Sequence, residues 1–317
     1  GLWRLCCDLK KMLPALLSLA VAAQGQRLVI KNSCDTEPLW IAHEAGGGVG
    51  PDEQNLKIEP GKSFTFTTPD NLKATRYWPK MGCDSDGNKC QLGGSGGPSE
   101  ICDTKLGCAP PVDTKFEATF GQKGEGCDPS KQEFTGCEWI DVSMVDGWTL
   151  PFKFEVTGSC VSTSSGKTVS DVSIDCSKVS IDDCPTAESI EGVGSLDLRL
   201  KHPQTGQLLG CYSPCSKLTL RSWNNTIAKD HTPQDAVAAP YCCPTPPESP
   251  DACRKGPVGE TQYVKAVHKK CPGVYGYSYD DGMGLMTCTA GAIYTMTLYC
   301  PSSLPSPSPS PPSPPSP

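Results

Sequence analysis

The segment from Trp139 to Trp148 reads WIDVSMVDGW. Its first part, Trp139 to Met144 (WIDVSM), is a short run rich in β-branched and aromatic residues. Gly147 and Pro151 close it, the composition of a strand that runs into a turn. Asp141 and Asp146 are an odd number of residues apart, so in one unbroken strand they would face opposite sides of a sheet. Asp146 immediately precedes Gly147. The expectation is that the strand stops short of Asp146 and the following turn carries it, so that both carboxylates reach one cleft.

Similar runs lie on both sides. Arg27 to Asn32 (RLVIKN), Ser63 to Thr68 (SFTFTT), Phe116 to Phe120 (FEATF), Phe152 to Thr157 (FKFEVT) and Ala292 to Tyr299 (AIYTMTLY) are each bounded by Gly, Pro or Asp. Many short strands with turn signals point to an all-β sandwich. The stretch from Cys176 to Cys271 differs, with eight cysteines, many prolines and little periodicity. It reads as loops and one short helix held by bridges rather than by a core. Gly93 to Pro98 is glycine-rich but has no following Lys-Ser/Thr, which argues against a phosphate loop. From Leu304 to Pro317 the chain is a Ser-Pro repeat, expected to extend as polyproline II over roughly 40 Å, as a spacer or a glycosylated wall anchor.

The chain has 317 residues and twenty cysteines. Cytosolic thiols stay reduced, so this usage points to an oxidising compartment and structural disulfides. The four histidines, His43, His202, His231 and His268, follow no ligand spacing, and no paired CxxC motifs occur; no metal and no cofactor are expected. Arg4, Lys10 and Lys11 precede an apolar run from Met12 to Ala23, the layout of a signal peptide cleaved near Ala22 or Ala23, with Met12 as an alternative start. The run is too short for a membrane anchor, and no second stretch is long enough. Residues 1–23 carry Asp8 against those three cations, so their removal takes the formal charge from −7 to −9. Cys6 and Cys7 leave with them, and an even eighteen remain. This acidity argues against nucleic acid and anionic membrane surfaces as partners. The mature protein is expected to be a secreted monomer, extracellular or in the cell wall.

Several segments, in this order, resemble thaumatin-like proteins: TRYW from Thr75 to Trp78 before Gly82-Cys83, DTKFE from Asp113 to Glu117, IDVSMVDGW, Gly210-Cys211, Tyr241-Cys242-Cys243, and KCPGVYGYSYDD from Lys270 to Asp281. The resemblance covers about residues 26–300. It implies a flattened β-sandwich, a disulfide-rich lobe near 176–271 and a small stapled lobe near 83–108, the whole forming one domain over 24–300. It also implies eight bridges: Cys34–Cys300, Cys83–Cys90, Cys102–Cys108, Cys160–Cys288, Cys176–Cys271, Cys184–Cys211, Cys215–Cys242 and Cys243–Cys253. Cys127 and Cys137 are left over and are expected to form a ninth.

The family's acidic cleft has one Arg, one Glu and three Asp. The matching residues here are Arg76, Glu117, Asp141, Asp146 and Asp280, with Asp281 a close competitor for the last. Paired carboxylates suit glycosidic cleavage, one donating a proton and the other acting as base or nucleophile. By the resemblance, Glu117 is the acid and Asp146 the base or nucleophile, while Arg76, Asp141 and Asp280 bind substrate. The implied partner is β-1,3-glucan or another neutral wall polysaccharide. Three readings stay open: a glucan-binding defence protein, a weak endo-β-1,3-glucanase, and an inhibitor of foreign digestive enzymes that acts through loops. The carboxylates can also be purely structural. Gln91 to Ile101 (QLGGSGGPSEI) replaces the family's Thr-Gly-Asp-Cys, so one lip of the cleft departs from the pattern. Tyr77, Trp78, Trp148, Tyr277 and Tyr279 are candidate stacking surfaces for sugar. Asn224-Asn225-Thr226 is a glycosylation sequon at Asn224.

Overall fold

A computed structural model describes residues 25–46, 48–94, 112–162, 166–229 and 231–301. The expected signal peptide, most of the glycine-rich loop, the expected Cys102–Cys108 pair and the Ser-Pro tail lie outside the described residues.

The strands are β1 (Leu28–Asn32), β2 (Leu39–Ala45), β3 (Leu56–Ile58), β4 (Ser63–Phe66), β5 (Thr75–Lys80), β6 (Lys115–Thr119), β7 (Cys137–Ser143), β8 (Gly147–Trp148), β9 (Phe152–Ser162), β10 (Thr168–Cys176), β11 (Glu188–Ile190), β12 (Gly194–Leu196), β13 (Arg199–Lys201), β14 (Leu208–Tyr212), β15 (Met286–Thr289) and β16 (Ile293–Leu298). Eleven of them form one sheet in the order β3-β2-β5-β6-β7-β15-β9-β16-β1-β4, with β10 paired to β9. Only the β1–β16 pairing in this sheet is parallel.

The sheet doubles over, because each layer has one apolar face to bury. Phe116 on β6 meets Phe154 on β9 and Tyr294 on β16, and Tyr77 on β5 meets Phe66 on β4. These rings come from strands distant in the sheet order, so they form the filling of a sandwich. All five are at most 2% exposed. Strands β2 and β10 were not among the runs expected from sequence. In β10 the residues from Thr168 to Ser173 are exposed or half-buried, so its pattern carries little hydrophobic signal.

The lobe between Cys176 and Cys271 is more ordered than its sequence implied. It holds α1 (Pro214–Thr219), α2 (Ala239–Cys242), α3 (Pro250–Lys255) and α4 (Gln262–Lys270), besides strands β11 to β14. A final turn, α5 (Asp281–Gly284), follows it. Ser213, Ser249 and Thr261 accept backbone N–H bonds as N-caps, and proline occupies the first turn of α1 and α3. That Ser-Pro start is a helix signal. The expectation of a lobe without a core is corrected here: Leu218, Tyr241, Val258, Tyr263, Val264 and Val267 are buried in a cluster continuous with the sandwich core. Among the described residues no helix is long and apolar enough to cross a membrane.

Among the described residues eight disulfides join Cys34 to Cys300, Cys83 to Cys90, Cys127 to Cys137, Cys160 to Cys288, Cys176 to Cys271, Cys184 to Cys211, Cys215 to Cys242 and Cys243 to Cys253. The first ties the loop after β1 to the end of β16, 266 residues apart. The Cys127–Cys137 bridge closes a ten-residue separation in the hairpin that leads into β7. That hairpin is already held by reciprocal Asp128–Glu133 backbone bonds of 2.9 and 3.1 Å. Loop-closure entropy nevertheless predicts that replacing both cysteines by serine costs about 2–3 kcal/mol in equilibrium urea unfolding. A loss below about 1 kcal/mol would show that the hydrogen bonds alone fix the hairpin.

Candidate functional site

Register assembles the site. Glu44 of β2 lies opposite Arg76 of β5, Arg76 opposite Glu117 of β6, and Glu117 opposite Asp141 of β7. Directly opposed residues point to the same face, so these four form one row across four strands. Arg76 Nε donates to Glu117 Oε1 at 2.5 Å, and Nη1 donates to Glu44 Oε1 at 3.0 Å. The arginine side chain is 48% exposed and its two carboxylates about one-quarter, so this part of the row is open to solvent.

Asp141 ends the row and forms no ion pair among the described residues. Burial, then the charge of Glu117, then that of Asp281, push its carboxyl well above the usual range, with Arg76 opposing. This follows from crowding carboxylates where solvent is scarce.

The segment after α4 comes up against the end of β7. Tyr275 docks beside β7, accepting from Met144 N at 2.9 Å and donating its own N–H to Val142 O at 3.0 Å. Its hydroxyl donates to Asp281 Oδ1 at 2.7 Å, and Arg254 Nη2 donates to Asp281 Oδ2 at 2.8 Å. Asp281 is therefore presented toward Asp141. Asp280, expected to bind substrate, is instead 6% exposed. Its Oδ2 accepts from Gly276 N at 2.9 Å and meets His268 Nε2 at 2.6 Å. The start of α5 separates the two neighbours, turning Asp280 inward to hold its own loop and leaving the Asp281 side chain 36% exposed.

Asp146 lies in the turn between β7 and β8, closed by Gly147 N to Met144 O at 3.1 Å. Gly147 has φ +132° and leaves no room for a Cβ, which would stand 2.2 Å from Cys211 O; this is why the turn needs glycine. Asp146 Oδ2 accepts from Lys115 Nζ at 2.8 Å, a cation whose side chain is only 2% exposed. Lys115 is two residues from Glu117 on β6 and opposite Ser143, so it shares the face of the row.

The structure thus brings Arg76, Glu117 and Asp141 together, sets Asp146 beside them on Lys115, and withdraws Asp280. Sequence reasoning missed Glu44 and Lys115. Lys115 was legible from its two-residue spacing to Glu117, whereas Glu44 is found only through register. Of the aromatic candidates, Tyr77, Trp78 and Trp148 are core residues, at most 2% exposed. The Tyr279 ring lies 6.0 Å from the Arg254 guanidinium and its hydroxyl 2.7 Å from Thr245 Oγ1. A cavity of about 340 Å³ between Trp148, Val179, Ile181 and Tyr299 has only Lys178 and Asp182 as charged lining; it holds none of these carboxylates.

The sequence pattern of the Thaumatin family matches residues 32–301. The chain belongs to the thaumatin family. Among curated relatives, "Thaumatin-like protein 2" of Prunus persica is 24% identical over 300 residues, covering 92% of this chain and 99% of the relative. "Pathogenesis-related protein 5" of Arabidopsis thaliana is 26% identical over 288 residues, with coverages of 90% and 94%. "Glucan endo-1,3-beta-glucosidase" of Prunus avium is 27% identical over 242 residues, with coverages of 75% and 76%. In this thaumatin-family chain the acid row is built on β2, β5, β6 and β7, with Tyr275 anchoring the Asp281 segment to the end of β7.

Proposed function

We propose that this protein binds β-1,3-glucan in its acidic groove and serves in defence or wall remodelling outside the cell. The observation that carries the reading is the cross-strand row Glu44–Arg76–Glu117–Asp141 facing Asp281. Ionised carboxylates are acceptors only, and a neutral polysaccharide presents hydroxyl donors. Arg76 keeps two of the carboxylates oriented, so the acceptors are preorganised. The relative named as a glucan endo-1,3-beta-glucosidase supports the same substrate class, the one named as a pathogenesis-related protein supports the defence role, and the disulfide density suits an oxidising, extracellular setting.

Weak hydrolysis is the second reading, favoured by Asp141. Its raised carboxyl is the group fit to protonate a leaving oxygen, and Glu117 stands directly opposite. Opposed Cβ atoms are about 4.5–5.5 Å apart, so the two side chains rise from adjacent points on one face of the sheet. The proton donor proposed is therefore Asp141, with Glu117 as its partner, in place of the Glu117–Asp146 pairing implied by the resemblance.

Retention of the oxidised protein on insoluble β-1,3-glucan tests the first reading. Wild type is expected to bind, and Glu117→Gln to bind about tenfold more weakly, since a charged acceptor is lost. No retention of wild type would overturn it. Reducing-end release from soluble glucan tests the second. Release that vanishes in Asp141→Asn supports hydrolysis; no release by wild type leaves a binding protein.

A further inference from the structure

A second pocket, of about 210 Å³, lies on the disulfide-rich lobe. Its surroundings are basic although the chain as a whole is acidic. Arg199 and Lys201 project from β13, and both pair with a single carboxylate, Asp197, at 2.8 and 3.3 Å. Lys217 enters from α1. Its ammonium sits 4.9 Å from the centre of the Tyr212 ring and forms no ion pair among the described residues. Burial lowers its pKa, with Asp197 working against that and Lys201 adding to it. Three cations against one carboxylate create a local positive field that the net charge conceals.

Two buried polar atoms on residues that line this pocket have no partner among the described residues. Trp223 is 6% exposed and packs with Leu200, Leu209 and Tyr212, yet its Nε1–H donates to nothing. Asn225 donates through Nδ2 to Lys217 O at 2.8 Å and Leu220 O at 2.9 Å, securing the end of α1, while its Oδ1 accepts from nothing. Buried polar groups are nearly always paired, so one unused donor and one unused acceptor in the same pocket call for a ligand that brings both kinds of group. The backbone is strained at the same place: Trp223 and Asn224 adopt φ of +55° and +54°. For a bulky residue such as tryptophan this conformation is uncommon and costly.

We propose that this pocket is a binding site for an acidic sugar residue, a uronate or a sulfate ester. Its anion pairs with Lys217, Lys201 and Arg199, an acidic oxygen accepts from Trp223 Nε1, and a ring hydroxyl donates to Asn225 Oδ1. A neutral sugar leaves Lys217 uncompensated, and a bare inorganic anion has no donor for Asn225. The site is separate from the acidic groove and does not depend on the glucan reading.

Asn224 lines the same pocket and begins the glycosylation sequon. Binding is therefore measured on the full chain with Thr226→Ala, which abolishes the sequon and retains Asn224. Trigalacturonate, a sulfated galactan trisaccharide and neutral galactotriose are titrated at low salt, with heat and tryptophan fluorescence as readouts. One or both acidic sugars bind and the neutral one does not; which of them binds identifies the source of the anion. Lys201→Gln/Lys217→Gln weakens binding at least tenfold, because charge-assisted hydrogen bonds are lost. Trp223→Phe, which keeps a ring and removes the N–H, weakens it several-fold. Thermal unfolding of each variant confirms that it is folded. Absence of binding by both acidic sugars, equal binding of galactotriose, or affinities unchanged in both variants would overturn the proposal.

Discussion

Replacing Glu138 by alanine is expected to destabilise the protein by about 3–5 kcal/mol, a loss readable as a shift in the midpoint of urea unfolding with the disulfides intact. Glu138 is wholly buried on β7. Its Oε1 accepts from Arg27 Nη1, and its Oε2 accepts from the Tyr294 hydroxyl. Arg27, just before β1, is 4% exposed and also donates to Gly121 O, Thr68 O and Asp70 Oδ1. Strands β1 and β7 are separated in the sheet order by β15, β9 and β16, so this ion pair clamps one layer of the sandwich to the other. Burial raises the pKa of Glu138 in spite of Tyr294 and Arg27, which means that the pair adds little net stability. Its removal by halves is what costs. Alanine leaves a buried guanidinium and a phenol without their acceptor, whereas Arg27→Met/Glu138→Leu removes both charges together. The double variant is expected to be far more stable than the sum of the single variants predicts, and Asp70, 29% exposed, can take up water in place of Arg27. A loss under about 1 kcal/mol in Glu138→Ala would refute the clamp.

The fold was legible where strands are short, apolar and bounded by turn residues. Segments around Val29, Phe64, Phe116, Ile140, Phe154 and Tyr294 form strands as their composition implies, and the parity of Asp141 and Asp146 located the turn before Gly147. What sequence could not supply was register. Arg27 and Glu138 are 111 residues apart, and nothing local in either segment names the other. Glu44 likewise enters the acid row only because β2 pairs with β5. In the Asp280–Asp281 pair the ambiguity was one of orientation. Two adjacent carboxylates at a helix start point in different directions, and which one turns inward depends on His268, twelve residues before Asp280. The disulfide-rich lobe was misjudged for another reason. Its helices are only four to nine residues long, too short for a hydrophobic period to emerge, although their Ser-Pro and Thr caps were readable.

Stability is also expected to fall as pH rises from about 4 to 8, and Asp113 is the cause to isolate. Asp113 is completely buried, two residues before Lys115. Its Oδ1 accepts from the Thr149 hydroxyl and from Thr114 N, while its Oδ2 has no partner. A Cβ on Gly93 would stand 2.7 Å from that oxygen, so the chain is tightly closed over it. Burial pushes the carboxyl up from 3.8 to about 7, against the pull of Thr149, Lys115 and the Thr114 amide. Between those values the folded protein keeps a proton that the unfolded chain releases. The native state therefore binds more protons, and stability declines with rising pH through this window. It is fully present below about pH 4 and lost once the pH passes about 7. The separation of roughly three pKa units bounds the effect at about 4 kcal/mol. Asp113→Asn has no proton to release. Relative to wild type it is expected to gain roughly 2–4 kcal/mol between pH 4 and pH 8, measured by urea unfolding at both, with other titrating groups cancelling in the difference. Wild-type and variant curves that run parallel across this range would show that Asp113 is ionised in the folded protein, and that its unpaired oxygen is stabilised by something other than a retained proton.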